Sequence, residues 1–510
     1  MSSHLVDDSF VSLNAFYRLV PSSSTRCSYF FDGESREESC RPSRITASTP
    51  YGTCTERLSP FGGLLGLIKF MDLLGFEEVF DHVYKGPGRD PKLGHCRMVV
   101  GILMLLFIGF NRLWHFIYIR LDAMVCGFFQ LTRLPAASTF WRYVDSLGIN
   151  QANSIVKVNS VLRERAWHLC GLKYRRVHLS IDTTAETVYG NQQGGRVGYN
   201  TSHRGKKAYR PVLCFVDETR ECLLGKLRKG DVLDGEECAV FISRIKDHLP
   251  GCVKKVLLRA DGEFFCWESV HAATKAGFQF IIANKRAKPP FDPGHWYQPR
   301  RRSPIQYNSC VYQPLGWHFP CRFVAMRIPN EQDASPGQPL QGELFEEDRY
   351  TYRIFCTSLR GKPHKITAQY DKRADAENLI GEAKREGLDA IPSAKFKNNN
   401  AYFQIVLMAY NLWRYYKMLA QKSTREPTSK EPDLLTGIQD NTIRIARLKL
   451  LLIAAKLAFH NNRYQVRFSI HDTRTPSMQR FLSFLDNARA KVRPWMQSTL
   501  WPCRFSLNAP

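Results

Sequence analysis

From residue 175 onward the chain changes its period, and the order in which its strands and helices follow limits the fold more than any other feature. "RRVHLSIDTTAETVYG" alternates Val177, Leu179 and Ile181 on one face, with Val188 and Tyr189 following in what reads as a second strand. "AYRPVLCFVDETRECLLGKLRKG" reads as two further strands joined by a turn at Asp217 to Arg220. "GEECAVFISRIKDHL" has helical spacing, and "KKVLLRAD" is a strand whose unbroken Val256, Leu257 and Leu258 suit burial on both faces. A helix, "FFCWESVHAATKAG", and a strand, "FQFIIAN", complete the run. Strands first in a meander, then alternating with helices, predict an α/β fold built on a mixed sheet.

The flanks divide by texture. Residues 1–55 are rich in Ser, Arg, Thr and Pro with little periodicity, and read as a poorly ordered extension. Residues 56–168 turn helical and read as an α-helical domain. Within it "STFWRYVDSLG" can be capped by Ser138 or Thr139 and ended by Gly148. Arg133 and Arg142 there fit a helix-turn-helix-like DNA reader, and an ordinary helix packing Phe140, Tyr143 and Val144 fits equally. Residues 170–285 form the first part of the α/β core. Residues 286–350, rich in Pro, Gly and charge, interrupt it as an insertion, and 351–420 resume it from "YTYRIFCTSL". Residues 421–510 hold a solvated linker, a hairpin turning at Asn461-Asn462 and a helix.

Charge narrows the partners. Lys and Arg number 72 against 47 Asp and Glu, a formal +25, in a chain that is 44% hydrophobic and 12% aromatic. A folded protein with that excess expects a polyanion, usually nucleic acid. Fifteen cysteines include no C-x2-C pair, which speaks against a zinc ribbon and a secreted disulfide scaffold. "MSSHLVDDSF" lacks a signal-peptide pattern, and the most apolar run, Met98 to Phe110, is 13 residues, short of the roughly 20 that a span needs. The expectation is a buried helix, no membrane partner and a reducing, cytoplasmic compartment.

Two carboxylates stand out by position. Asp182 lies at the end of "LSID" and Asp261 at the end of "LLRAD", and open α/β sheets gather ligands at strand ends. Adjacent strand ends bring two carboxylates close enough to need a cation, which favours oxygen-ligated ions such as Mg²⁺ or Mn²⁺. Each Asp can equally cap the turn that follows it. In "YDKRADAENLIGEAKR" (370–385), a continuous helix puts Tyr370, Arg373, Glu377 and Lys384 within about 60° of one another, beside a stripe of Ala376, Leu379, Ile380 and Ala383. A surface helix with an Arg373–Glu377 pair reads the same spacing. Glu377 as a third acid would close a three-carboxylate site for two divalent ions that activate a nucleophile in phosphoryl transfer. Arg373 and Lys384 would face a phosphate backbone, and Tyr370 would donate to phosphate.

Here the residues match a known pattern. Tyr370, Arg373, Glu377 and Lys384 spell Y-x2-R-x3-E-x6-K, and with "HLSIDTT", "LLRADGEFF", "GKKAYRPVLCFVDE" and the insertion before the third acid the chain resembles bacterial insertion-sequence DDE transposases. The resemblance covers about 170–420, and extends more weakly through "LSPFGGLLGLIKFMDLLG" and the stretch near 134–142. It implies an RNase H-like catalytic core with an inserted mostly-β segment, and Asp182, Asp261 and Glu377 as the metal-binding triad. It also implies cut-and-paste movement: nicking at the terminal inverted repeats of the element, then attack of the freed 3′-OH on target DNA. Assemblies in that family are usually homodimers on double-stranded DNA, and a bacterial member would sit in the cytoplasm with the nucleoid. A repurposed copy that binds DNA without cutting, and a nuclease that cuts without joining, remain the alternative readings.

Several charged groups stay open. Glu263 would point with Asp261 if the strand continued, but Gly262 breaks it. Asp375 and Glu382 lie about 160° and 140° from Glu377 and are expected to be solvated. The clusters Arg204, Lys206, Lys207 and Arg300, Arg301, Arg302 are candidates for phosphate contact or solvated faces. Trp267 is a candidate to stack on an unpaired base, with core packing the competing reading.

Overall fold

A computed structural model describes residues 44–198, 203–330, 350–424, 433–461 and 463–496. Met1–Thr55 and Glu56–Pro510 form separate compact units. Of the first, residues 1–43, on which most of the expected extension falls, lie outside the described residues, and 44–55 carry no helix or strand.

The second unit opens with a short strand, β1 (Leu58–Ser59), and seven helices: α1 (Leu64–Leu74), α2 (Phe76–Val83), α3 (His95–Ile108), α4 (Phe116–Ile119), α5 (Ala123–Phe129), α6 (Ala137–Ser146) and α7 (Ile149–Leu169). α3 is apolar all round, and Met98 to Ile108 are all buried, as a helix without a polar face must be. No single described helix is long and apolar enough to cross a membrane; α3 and Leu113–Ile119 pass together by length and composition but meet at a 90° bend. In α6, Phe140, Tyr143 and Val144 are buried while Arg142 is exposed. Neither Ser138 nor Thr139 caps it: Ala136 is the N-cap, Leu147 ends the helix, and Gly148 begins α7.

The sheet follows. β2 (Arg176–Thr183), β3 (Glu186–Thr187), β4 (Arg196–Val197) and β5 (Lys207–Tyr209) precede β6 (Val212–Val216) and β7 (Glu221–Lys226), which turn through Arg220 in a left-handed conformation. Then come α8 (Gly235–His248), β8 (Lys255–Ala260), α9 (Trp267–Lys275) and β9 (Gln279–Ala283). β7, β6 and β2 are antiparallel neighbours, while β8 pairs parallel to β2 and β9 parallel to β8. Three antiparallel strands continued by two parallel ones make an RNase H-like core. β2 and β8 are buried along nearly their whole length, which suits strands covered on both faces.

The described strands of the insertion join the main sheet. β10 (Gln306–Tyr312) and β11 (Cys321–Pro329) lie antiparallel beside β12 (Tyr350–Thr357), and β12 pairs with β9, so the sheet grows to eight strands in the order β10-β11-β12-β9-β8-β2-β6-β7. Trp267, on α9, packs against Trp317, His318 and Phe319 of the loop between β10 and β11, ring centroids 6.1, 4.8 and 4.5 Å away. It cements the insertion to the core.

The chain then runs through α10 (Pro363–Asp371), α11 (Ala374–Ala383) and α12 (Phe396–Lys422), the last buried over most of its length. The remainder is α13 (Ile443–Leu450), the hairpin β13 (Ala455–His460) and β14 (Arg463–Phe468), and α14 (Thr475–Met496). β1 pairs with β13 to make a second, three-stranded sheet. α7 is tied to the core by a buried ion pair: Arg163 donates from Nε to Glu221 (3.1 Å) and from Nη2 to the Cys222 and Leu223 carbonyls. Glu221 also accepts from Trp167 (2.7 Å), Thr219 (3.0 Å) and Tyr415, so its charge is fully hydrogen-bonded.

Candidate active site

Parallel pairing of β2 with β8 sets the site. Ile181 lies opposite Ala260 in the ladder, so the next residue on each strand, Asp182 and Asp261, emerges at neighbouring positions of the same sheet end. Both also anchor local backbone. Asp182 accepts from the Thr183 N–H (2.9 Å), and Asp261 accepts from the Glu263 N–H (3.1 Å), capping the short turn Gly262–Phe264. The turn-capping reading and the paired-carboxylate reading therefore hold together.

Residues 370–385 are not one continuous helix. α10 ends at Asp371, α11 begins at Ala374, and Arg373 sits at the break as its N-cap. The break turns Arg373 inward: its side chain is nine-tenths buried, and its guanidinium meets all three acids. Nη2 lies 2.9 Å from Asp182 Oδ1 and 4.0 Å from Asp261 Oδ2, and Nη1 lies 4.0 Å from Glu377 Oε1. Glu377 keeps 71% of its side chain exposed and lines a cleft of about 340 Å³ that neither aspartate lines. Among the described residues no three acidic, His or Cys side chains converge as a metal cage.

The spacing-based expectation that Tyr370, Arg373 and Lys384 share an outward face is not what the structure has. Tyr370 is buried with its ring 4.5 Å from that of Phe355. Lys384 opens a widened turn, Lys384–Leu388, and reaches the Ala185 carbonyl (2.8 Å) and Glu186 (3.4 Å). A helical wheel assumes one axis, and here the axis changes twice. Asp375 is exposed, as expected, but Glu382 is buried, pairing with Arg414 on α12 and accepting from the Ile443 N–H at 2.6 Å. Its partners lie too far along the chain for local spacing to reveal.

Asp182 and Asp261 line a cleft of about 660 Å³ with Arg112, Glu186, His203, Arg210, Glu263 and Lys384. Glu263 accepts from Thr183 Oγ1 (2.9 Å) and pairs with Arg210, so it points into the cleft despite the break at Gly262. Glu186 and Arg210 were not among the sequence candidates; their only signal was position, just after the first acid and just before β6. Burial pushes the Asp182 carboxyl up to about 7 against the opposing pull of Arg373, with the Asp261 and Glu377 charges adding to the rise. Asp261 is raised by burial too, and Glu186 is pushed up to about 7 by burial that Lys384 partly offsets. Desolvated carboxylates crowded at one strand end bind a cation in preference to staying charged alone.

Of the basic clusters, Arg204 and Lys206 are exposed in the loop before β5, Lys207 is exposed at its start, and Arg300, Arg301 and Arg302 are exposed in a turn before β10. None of these six touches the acids.

The model of the family described as transposase DDE domain group 1 matches residues 53–490. No curated protein matches. Among solved structures, a piggyBac transposase synaptic complex with hairpin DNA is 10% identical over 86% of each chain, at a TM-score of 0.39. A Mos1 transposase paired-end complex with left transposon end is 8% identical over 38% of this chain and 60% of that one, at a TM-score of 0.16. With the family model spanning nearly the whole second unit, the chain belongs to the transposase DDE domain group 1 family and is a DDE transposase, a metal-dependent enzyme of DNA cleavage and strand transfer.

Proposed function

We propose that this transposase moves an insertion sequence by cut-and-paste, nicking at the element ends and joining the freed 3′-OH to target DNA, with Asp182, Asp261 and Glu377 as its metal-binding acids. The observation that carries the reading is the single guanidinium of Arg373 in contact range of all three carboxylates. A cation already held among them marks the place where positive charge is required, and an all-oxygen donor set suits Mg²⁺ or Mn²⁺. Two such ions, when bound, would supply an activated hydroxyl nucleophile and charge stabilisation on the leaving oxygen.

The chain's own residues do the rest. Asp182 and Asp261 are fixed by the sheet and by the N–H groups they accept, so they need little reorganisation. Lys384 and Arg210 line the cleft and would meet phosphate oxygens of a strand lying in it. Arg373 is free to serve phosphate once another cation relieves it. Tyr370 holds the α10–α11 break against Phe355 and so positions Arg373. Arg204, Lys206, Lys207 and Arg300, Arg301, Arg302 are proposed as outlying backbone contacts, with two copies of the chain each holding one element end in the bacterial cytoplasm. The helical region 56–168 and the insertion would flank the DNA.

The test is cleavage and joining on DNA that carries the sequences flanking this gene, with Mg²⁺ or Mn²⁺, comparing wild type with Asp182→Ala and Glu377→Gln. Joined products from wild type alone support the reading. Cut ends without joining point to a nuclease, and binding identical in all three proteins without cutting points to a DNA-binding relic.

A further inference from the structure

The β13–β14 hairpin sorts its side chains strictly by the two-residue period of a strand. Ala455 and Leu457 are buried, with Val466 and Phe468 half-buried beside them, so that face packs on the protein. The opposite face carries Lys456, Ala458 and His460 on one strand and Arg463, Gln465 and Arg467 on the other, all exposed except the half-buried Ala458. In the ladder Lys456 lies directly opposite Arg467 and His460 directly opposite Arg463. The sequence from 455 to 468 contains no acid; Glu56, just before β1, lies 2.5 Å from Lys456. Like charges facing each other across a strand pair destabilise a sheet. This hairpin keeps them on its solvent face, where an outside anion can offset them.

At the tip, Phe459 and Tyr464 face each other with ring centroids 5.1 Å apart and stay 62% and 51% exposed. Arg57 donates to the Tyr464 hydroxyl (2.6 Å) and adds a further cation at the ribbon's edge. A two-stranded ribbon fits the major groove of B-form DNA, and Lys and Arg side chains on such a ribbon reach phosphates on both sides of it.

We propose that the β13–β14 hairpin is a second DNA-docking element, laid as a basic ribbon along duplex DNA outside the cleft. It rests on the reading that DNA is the substrate, and it places grip on the duplex in a part of the chain remote in sequence from the acids.

The experiment uses the full chain and a fluorescent duplex of about 30 base pairs, with affinity measured by anisotropy from 50 to 200 mM salt. Lys456→Gln/Arg463→Gln/Arg467→Gln is compared with wild type, with circular dichroism melting to verify that both are folded. The expected result is binding at least tenfold weaker at 100 mM salt, with a log–log salt slope shallower by about 1 to 2.7, since each lost phosphate contact removes about 0.9. Arg463→Lys, which keeps the charge, is expected to bind as wild type does. An unchanged slope and affinity in the triple variant overturns the proposal, as does competition by duplex RNA as strong as by DNA, because the deep, narrow A-form groove excludes the ribbon. Asp182→Ala is expected to bind as wild type does. Loss of joining activity with binding intact concerns the active site alone, so the two readings fail separately.

Discussion

If Arg373 holds the place of a metal cation, replacing it should make divalent ions bind more tightly while weakening the ion-free protein. In the wild type an incoming ion must displace a guanidinium that lies 2.9 Å from Asp182 and 4.0 Å from both Asp261 and Glu377. Arg373 and Asp182 are each about nine-tenths buried, so their coupling falls in the upper part of the range for groups sharing one ion-pair network, about 1.5–3 kcal/mol. That free energy corresponds to about a 10- to 150-fold difference in apparent affinity. Arg373→Gln keeps a polar side chain of similar reach and removes the charge. Titrating Mg²⁺ or Mn²⁺ while following the melting temperature gives the midpoint for each protein, because a ligand that binds only the native state stabilises it by mass action. The variant should melt lower without ions, and its titration midpoint should move to lower concentration by at least tenfold. Equal midpoints in the two proteins would refute the reasoning, since the guanidinium and the ions would then not share the same carboxylates. Glu377→Gln in the Arg373→Gln background should return part of the gained affinity.

Other consequences concern the scaffold. Removing Arg163 strands the buried Glu221 charge, so Arg163→Met should cost about 3–5 kcal/mol in urea unfolding, and Arg163→Met/Glu221→Leu should recover a large share of it. A double variant no more stable than the single one would show that packing, not charge, holds α7 to the core. Burial pushes Lys417 down to about 7, so between about pH 7 and its ordinary value the unfolded chain binds more protons than the folded one. Stability attributable to this group should therefore rise with pH across that window. The stability of wild type relative to Lys417→Met should climb from pH 7 to pH 9.5, and a constant difference would count against it. Gly63 has no room for a side chain: an added Cβ would sit 1.9 Å from the Leu450 carbonyl oxygen, so Gly63→Ala should cost about 1–3 kcal/mol or more and lower the melting temperature. An unchanged melting temperature would mean that α1 and α13 can move apart.

What the amino-acid pattern made legible was local and periodic. β2, β6, β7, β8 and β9 follow from alternation and apolar runs, and the strand-end positions of Asp182 and Asp261 follow with them. That the two strands are parallel neighbours is not local, yet meander-then-crossover order allows few alternatives. The orientation of Arg373 and Lys384 was hidden, because wheel angles assume an unbroken helix and the chain breaks at 372–373 and widens after Ala383. The burial of Glu382 was hidden for a different reason: its partner Arg414 belongs to another helix, and only packing brings the two together. The insertion read as irregular because its composition is polar, whereas β10 and β11 gain their order by pairing onto an existing sheet edge.

That edge pairing has a consequence for how such a protein can diversify. Ala283, the last residue of β9, is the ladder partner of Phe355 on β12, so the chain leaves the core and re-enters it at one rung. A segment whose two ends share a rung can lengthen, shorten or be exchanged without shifting the strands that carry Asp182 and Asp261 or the start of the helices that carry Glu377. The frame and the segment spliced onto its edge are then separable inheritances, the first held constant and the second free to vary at a single seam.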